Sequence, residues 1–297
     1  APGDLDLHAD RALNLRRLGR WNESIASFRH ALELDPANRF YHGILVETMI
    51  DAGDYEGVMN LTVPLEDADP DDLDLQIDRA RAQLNLTGDL EPLEKVFERM
   101  NLTDSTNFLV NSARVHWLQR DFDATIEVLN GPVWVENSTT EVFRTNRDYE
   151  LAHAYRLKGD AATAARHFER VIAMRDDVMN SALQVQVYGG MSVALSMAWL
   201  GRHEEALELA ARLIDDNPPE KDAMLWGWLL TYQAMIKGLA GDPEAAIDDL
   251  AVALETPSAL RVTVWDLHYD PNWDFMRDNP RFVELATPPT LIRTSRP

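Results

Sequence analysis

Residues Gly19 to Pro36 read GRWNESIASFRHALELDP, and this stretch decides the fold. After Gly19, the residues Trp21, Ser24, Phe28 and Ala31 recur at three- and four-residue spacings, which is one face of a helix, and Pro36 closes the run. Upstream, Ala12 and Leu15 place a small and then a large residue on a preceding helix. Small and aromatic residues at such offsets let two antiparallel helices interlock across the glycine turn. The pattern returns 34 residues later, with Gly53 for Gly19, Tyr55 for Trp21 and Pro70 for Pro36. A helix pair of this size cannot bury its apolar face alone, so the repetition itself predicts a stack.

Later segments keep the register with variations. A third pair turns at Gly88, with Leu84, Leu93 and Phe97 at the packing offsets. A fourth has lost the glycine but keeps Ala113, Phe122 and Leu129. A fifth carries Ala152, Tyr155, Gly159, Ala164 and Phe168. The sixth and seventh turn at Gly201 and Gly241 and follow at intervals of 42 and 40 residues, so longer helices or connections must absorb the excess. Pro64 falls inside a second helix and predicts a short or broken one. The Gly-Pro and Ser-Thr-Thr content near 130–143 predicts an irregular loop or hinge.

These offsets resemble the tetratricopeptide repeat, and the resemblance covers almost the whole chain. It implies an all-α fold, a right-handed α-solenoid of about seven helix pairs over 1–259, with a capping segment and tail over 260–297. The tail, WDLHYDPNWDFMRDNPRFVELATP from Trp265 to Pro288, breaks the repeat. Through Asp270, Pro271, Trp273, Asp274, Arg277, Pro280, Arg281, Phe282 and Leu285 it resembles the terminal segment of tetratricopeptide modules attached to bacterial cyclases, kinases and winged-helix regulators. Trp273, Phe282 and Leu285 are expected to cover the apolar end of the last repeat.

A net charge of −22 and a pI near 4.6 repel phosphate backbones and anionic membrane surfaces, so nucleic acid is excluded as a partner of this segment. The absence of cysteine removes disulfides, thiolate catalysis and Cys-ligated metal sites together. The longest apolar run, Gly189 to Gly201, is too short to cross a bilayer. The chain starts at Ala1 without a leader and reads as a piece of a larger protein or a processed form. Nucleotide-binding loops, nucleophile elbows, H-E-x-x-H and EF-hand patterns are all missing, and the scattered histidines give no ligand spacing, so neither a catalytic group, a metal nor a cofactor is expected. His203 with Glu204 and Glu205 reads as a helix start with acids against the helix dipole.

In tetratricopeptide solenoids the first helices line the concave face, where peptides or partner helices dock. Projecting the register there brings Asn107, Asn111, Arg114 and Trp117 beside Tyr149, His153 and Arg156, a polar, cationic cluster in a very acidic protein. It predicts a seat for an acidic or carboxylate-bearing segment. A second, aromatic face comprises Tyr188, Met191, Trp199, Trp228 and Met235, which core packing equally explains. The Lys–Asn–Arg clamp by which some family members hold chaperone carboxylates is replaced here by Ala9 and Leu13, then Ile44 and Leu75, which argues against a cochaperone. The chain therefore reads as a noncatalytic interaction scaffold, the regulatory or sensory module of a bacterial signalling or transcription-regulator protein, with protein or peptide partners and self-association both open. The alternative is a free-standing periplasmic or secreted adaptor for an envelope complex. The compartment is periplasmic, within a membrane-anchored protein, or cytoplasmic.

Overall fold

A computed structural model describes residues 5–68, 71–99, 113–137 and 141–288. Among these residues all regular structure is helical. The first three pairs are α1 (Leu5–Arg17) with α2 (Trp21–Leu34), α3 (Arg39–Ala52) with α4 (Tyr55–Ala68), and α5 (Leu73–Thr87) with α6 (Glu91–Arg99). Helical residues 113–118 (α7) pair with α8 (Phe122–Asn130), followed by a short α9 (Pro132–Asn137). Next come α10 (Glu141–Lys158) with α11 (Ala161–Ala173), a short α12 (Arg175–Met179), α13 (Leu183–Trp199) with α14 (His203–Asp215), and α15 (Ala223–Leu239) with α16 (Pro243–Glu255). The tail forms α17 (Val264–Tyr269), a 3₁₀ helix (Pro271–Met276) and α18 (Pro280–Leu285).

The turns follow the register read from the glycines. Gly19, Gly53, Gly88, Gly159, Gly201 and Gly241 all have positive φ, and where the fourth pair lost its glycine Arg120 takes the same left-handed conformation at φ 62°. Helix starts are fixed by aspartate: Asp72, Asp121, Asp160, Asp222 and Asp242 each accept a bond from a backbone N–H of the first turn. The overlong sixth and seventh repeats gain length both ways, with first helices of 17 residues in α13 and α15 and the extra helix α12 ahead of α13.

Two expectations are corrected. α4 runs its full 14 residues through Pro64. The proline removes its own bond to the Asn60 carbonyl, and the helix continues past it for four residues. Of the segment near 130–143 expected to be irregular, residues 138–140 lie outside the described residues; before them Pro132 opens the short α9, at a position where a missing N–H costs nothing, and after them α10 starts at Glu141.

Packing gathers the described residues into one large core and several smaller ones. Val171, Met191, Leu195, Leu213, Leu229, Ile236 and Leu250 share a core with Leu267, Trp273, Met276 and Phe282 of the tail. Ile25, Phe28, Leu45, Met49 and Val58 form another in the first two pairs. The stack is not simply elongated. Its curvature returns the first pair to the seventh: α1 lies against α15, Arg17 pairs with the buried Asp222, and Gly19 sits within van der Waals reach of Ala223. The solenoid closes into a ring with its first helices inside.

Candidate functional site

The ring has a hub, and the hub is the tail. From Ser258 onward the chain leaves α16 and passes the start of α15 and the turn ends of α3 and α5. The Ser258 N–H donates to the Asp51 carbonyl at 3.2 Å and the Ala259 N–H to the Met224 carbonyl at 2.8 Å. Arg261 donates to the carbonyls of Ala52 and Leu254 at 3.2 and 2.6 Å. Gly53 and Gly88 serve twice here, since beyond their left-handed turns a Cβ would run into Arg261 and into the Trp265 ring respectively. The Tyr269 hydroxyl donates to the Gly88 carbonyl at 2.8 Å.

The cationic cluster is assembled around this segment. Arg114 donates to Asp270 at 2.9 Å and to Asp266 at 3.3 Å, and the Trp117 indole N–H donates to the other oxygen of Asp270 at 2.9 Å. Arg120 makes a two-bond pair with Asp274 at 2.6 and 2.7 Å. Arg156 donates to Asn272 at 2.8 Å and lies over the Trp199 ring, 3.8 Å from its centroid. Arg277 ties the tail to itself through Asp274 and the His268 carbonyl. Burial alone would lower the pKa of Arg114, but Asp270 and Asp266 outweigh it and hold the guanidinium above its ordinary value. Arg156, without a carboxylate partner at bonding distance among the described residues, is pulled down to about 10 by desolvation.

The residues projected onto the concave face are therefore brought together, but beneath protein. Trp117, Tyr149 and His153 are buried, and His153 has no exposed surface at all. Its ring stands edge-on to Tyr149, Phe168 and Trp199, with centroids 4.5, 5.2 and 5.7 Å away. Burial, then the neighbouring Arg156 charge, push its pKa well below the usual value and keep it neutral. Asn107 and Asn111 lie outside the described residues. Asp148, a neighbour that could have taken one of these arginines, instead pairs with His167 and Arg170. On the second face Met191, Trp228 and Met235 belong to the large core, while Tyr188 and Trp199 are half-buried at its edge.

Sequence reasoning missed the partners of the arginines, Asp266, Asp270, Asn272 and Asp274, although their acidity in a segment outside the repeat was a signal in plain view. It also missed the buried pair of Arg16 and Asp51 at 2.9 Å, with Glu47 at 3.3 Å from the same guanidinium. Among the described residues no group of three or more His, Asp or Glu side chains is placed to hold a metal ion, and no helix is long and apolar enough to cross a membrane.

The family model of the tetratricopeptide repeat matches residues 5–38. No curated protein matches in sequence. Among solved structures, a tetratricopeptide repeat protein from Parabacteroides merdae aligns with a TM-score of 0.51 at 11% identity, covering 95% of this chain and 98% of that one. The TPR domain of P58(IPK) aligns at 13% identity over 96% of this chain and 80% of that one, with a TM-score of 0.28, too low for the overlay to bear on this chain. Residues 5–38 are a tetratricopeptide repeat, and the chain as a whole has the all-α helical-repeat fold of a tetratricopeptide-repeat protein.

Proposed function

We propose that this chain is a noncatalytic protein-binding scaffold, the regulatory module of a bacterial signalling protein, and that it receives its partner on the part of the concave face left open by its own tail. The observation that carries this reading is the occupancy of the arginine cluster. An acidic segment does sit on Arg114 and Arg120, and it is the chain's own. Removing it would expose Trp265, Leu267 and Trp273, each no more than 7% exposed, at a cost of about 1.5–3 kcal/mol apiece. An incoming acidic peptide would have to repay that cost before gaining anything, so the tail is a strut and the partner surface lies elsewhere on the inner wall. By the repeat register the open part is lined by the first turns of the inner helices, where Phe40 is 68% exposed and Tyr188 half-exposed. Exposed aromatic side chains on a rigid concave wall suit partner anchoring.

The signalling part of the reading rests on the resemblance of the tail motif around Asp270, Pro271, Trp273 and Asp274. A reading frame upstream of Ala1 that encodes a winged-helix, cyclase or kinase domain would support it, and an envelope-assembly gene in its place would favour the adaptor. The scaffold part is tested by placing a photo-crosslinking amino acid at Phe40, at Tyr188 and, as an outward-facing control, at Val252, in the intact protein in its own cells. Defined protein adducts at the first two positions alone are expected; adducts at Val252 only, or at none, would sink it.

A further inference from the structure

The ring closes at a joint unlike the others in the stack. Each pair of helices shares a core with the next, as Val96 and Val115 do for the third and fourth pairs and Phe168 and Trp199 for the fifth and sixth. The joint between the first pair and the seventh has none. Among the described residues no side chain of α1–α4 belongs to the large core, and none of α15, α16 or the tail belongs to the core of the first two pairs. It is crossed instead by Arg17 on Asp222, by the Ser258 N–H on the Asp51 carbonyl at 3.2 Å and by Arg261 on the Ala52 carbonyl at 3.2 Å, with Gly19 against Ala223. Water can replace such bonds, whereas a shared core holds its two sides by the apolar area kept from water.

Charge sets the two sides apart. Residues 5–68 carry eleven acids and six bases, and residues 222–288 eleven acids and four bases, so both sides of the joint are negative. Arg17 relieves this at one point, but its side chain is 62% exposed and its pull is weak. The repulsion between the blocks reaches further and is set by the Debye length, about 30 Å at 0.01 M salt and about 8 Å at 0.15 M. Dilute salt therefore works against the joint, and physiological salt removes most of that opposition.

We infer that the joint between α1 and α15 is a gate: the block α1–α4 swings away from α15 and the tail with every helix intact, and ionic strength sets the open fraction. The swing leaves the buried pair of Arg16 with Asp51 and Glu47 undisturbed, because all three stand inside the moving block. An open gate gives access to the concave face from the side, so a partner segment flanked by folded protein on both ends enters without being threaded through the ring. This consequence alone rests on the scaffold reading.

Distances between spin labels on the full chain test the gate, and a sequence without cysteine lets the labels be placed at will. One pair spans the joint, Ala26→Cys on α2 with Val252→Cys on α16; the other, Ala26→Cys with Asn60→Cys on α4, stays within the block. All three positions are exposed and uncharged. The expected result at about 0.01 M salt is a second population of the spanning pair, longer by about 10 Å, the width of a helix, which shrinks several-fold at about 0.15 M. Arg17→Glu should enlarge it, and the pair within the block should keep one distance throughout. A single spanning distance at both concentrations and in Arg17→Glu would overturn the inference. So would a change in the inner pair, or a loss of helical circular dichroism alongside the longer population, since either means that the block unfolds and does not swing. A longer population that grows with salt would overturn it as well, and would show the Arg17 pair outweighing the repulsion. None of these results touches the scaffold reading, whose crosslinking test at Phe40 and Tyr188 is separate.

Discussion

Asp270 is the residue on which most of the hub converges. It is 8% exposed, accepts from Arg114, from the Trp117 indole and from the Asn272 N–H, and caps the 3₁₀ helix. Asp270→Ala strands the Trp117 indole N–H and leaves Arg114 only its longer bond to Asp266, and the expected loss is about 3 kcal/mol in urea unfolding. Asp270→Asn, which keeps an acceptor for the indole, should lose roughly half as much. A loss no larger than that of an ordinary surface substitution would show that the tail is held by its apolar side chains alone. Glu150 makes the opposite kind of prediction. Its carboxyl is raised from 4.5 to about 7, so the folded chain binds that proton more tightly than the unfolded chain does. The stabilisation is complete below pH 4.5 and is lost as pH rises to about 7. Glu150→Gln should therefore melt progressively higher than the parent across that window and keep a constant lead above it. The lead will be modest, because the exposed side of Glu150 is screened by solvent. A lead that shrinks as pH rises would reverse the assignment.

Among the elements, the tail carries the clearest prediction. Deleting everything from Trp265 uncovers the core partners of Leu267, Trp273, Met276 and Phe282, at about 1.5–3 kcal/mol for each large side chain. The sum approaches the whole stability of a domain, so the truncated chain should aggregate, and a clean monomer with an unchanged melting temperature in light scattering would refute this. The same element marks where legibility in the sequence ends. The helix pairs could be read because their signals are local: a glycine at each turn, a small residue facing a large one, a proline after the second helix. Even the lost glycine of the fourth pair left a countable position, which Arg120 fills. The docking of the tail could not be read in this way. Arg114 and Asp270 are 156 residues apart, and no periodicity links them. Both charges were visible and only their pairing was hidden, which is why a cluster read as a seat for a foreign acidic segment holds a domestic one. Burial of Met191, Trp228 and Met235 was open for a related reason, since an apolar stripe has the same spacing whether it faces a core or a partner.

At the scale of the whole molecule, ring closure depends on few contacts, and Arg17 makes one of them with Asp222, a side chain only 8% exposed. Arg17→Glu sets two like charges against each other at the seam, with an expected cost of about 1 kcal/mol, since Arg17 itself is mostly solvated. Hydrogen exchange in α1 should accelerate and the radius of gyration in solution should grow; if neither changes, the seam is held elsewhere. The seam also alters how the chain folds. An open array of repeats touches only its neighbours, so its stability is close to a sum over units, and it can fray from either end. Here contacts spanning 205 residues join the first unit to the last, and a central segment touches turns of units between them. Contact order is raised by both devices, which slows folding, since long loops must close before these contacts can form. In return, no terminal unit is left at a free end to peel away. Equilibrium unfolding is therefore expected to be more cooperative than that of an open array of repeats, with a single transition seen by all probes.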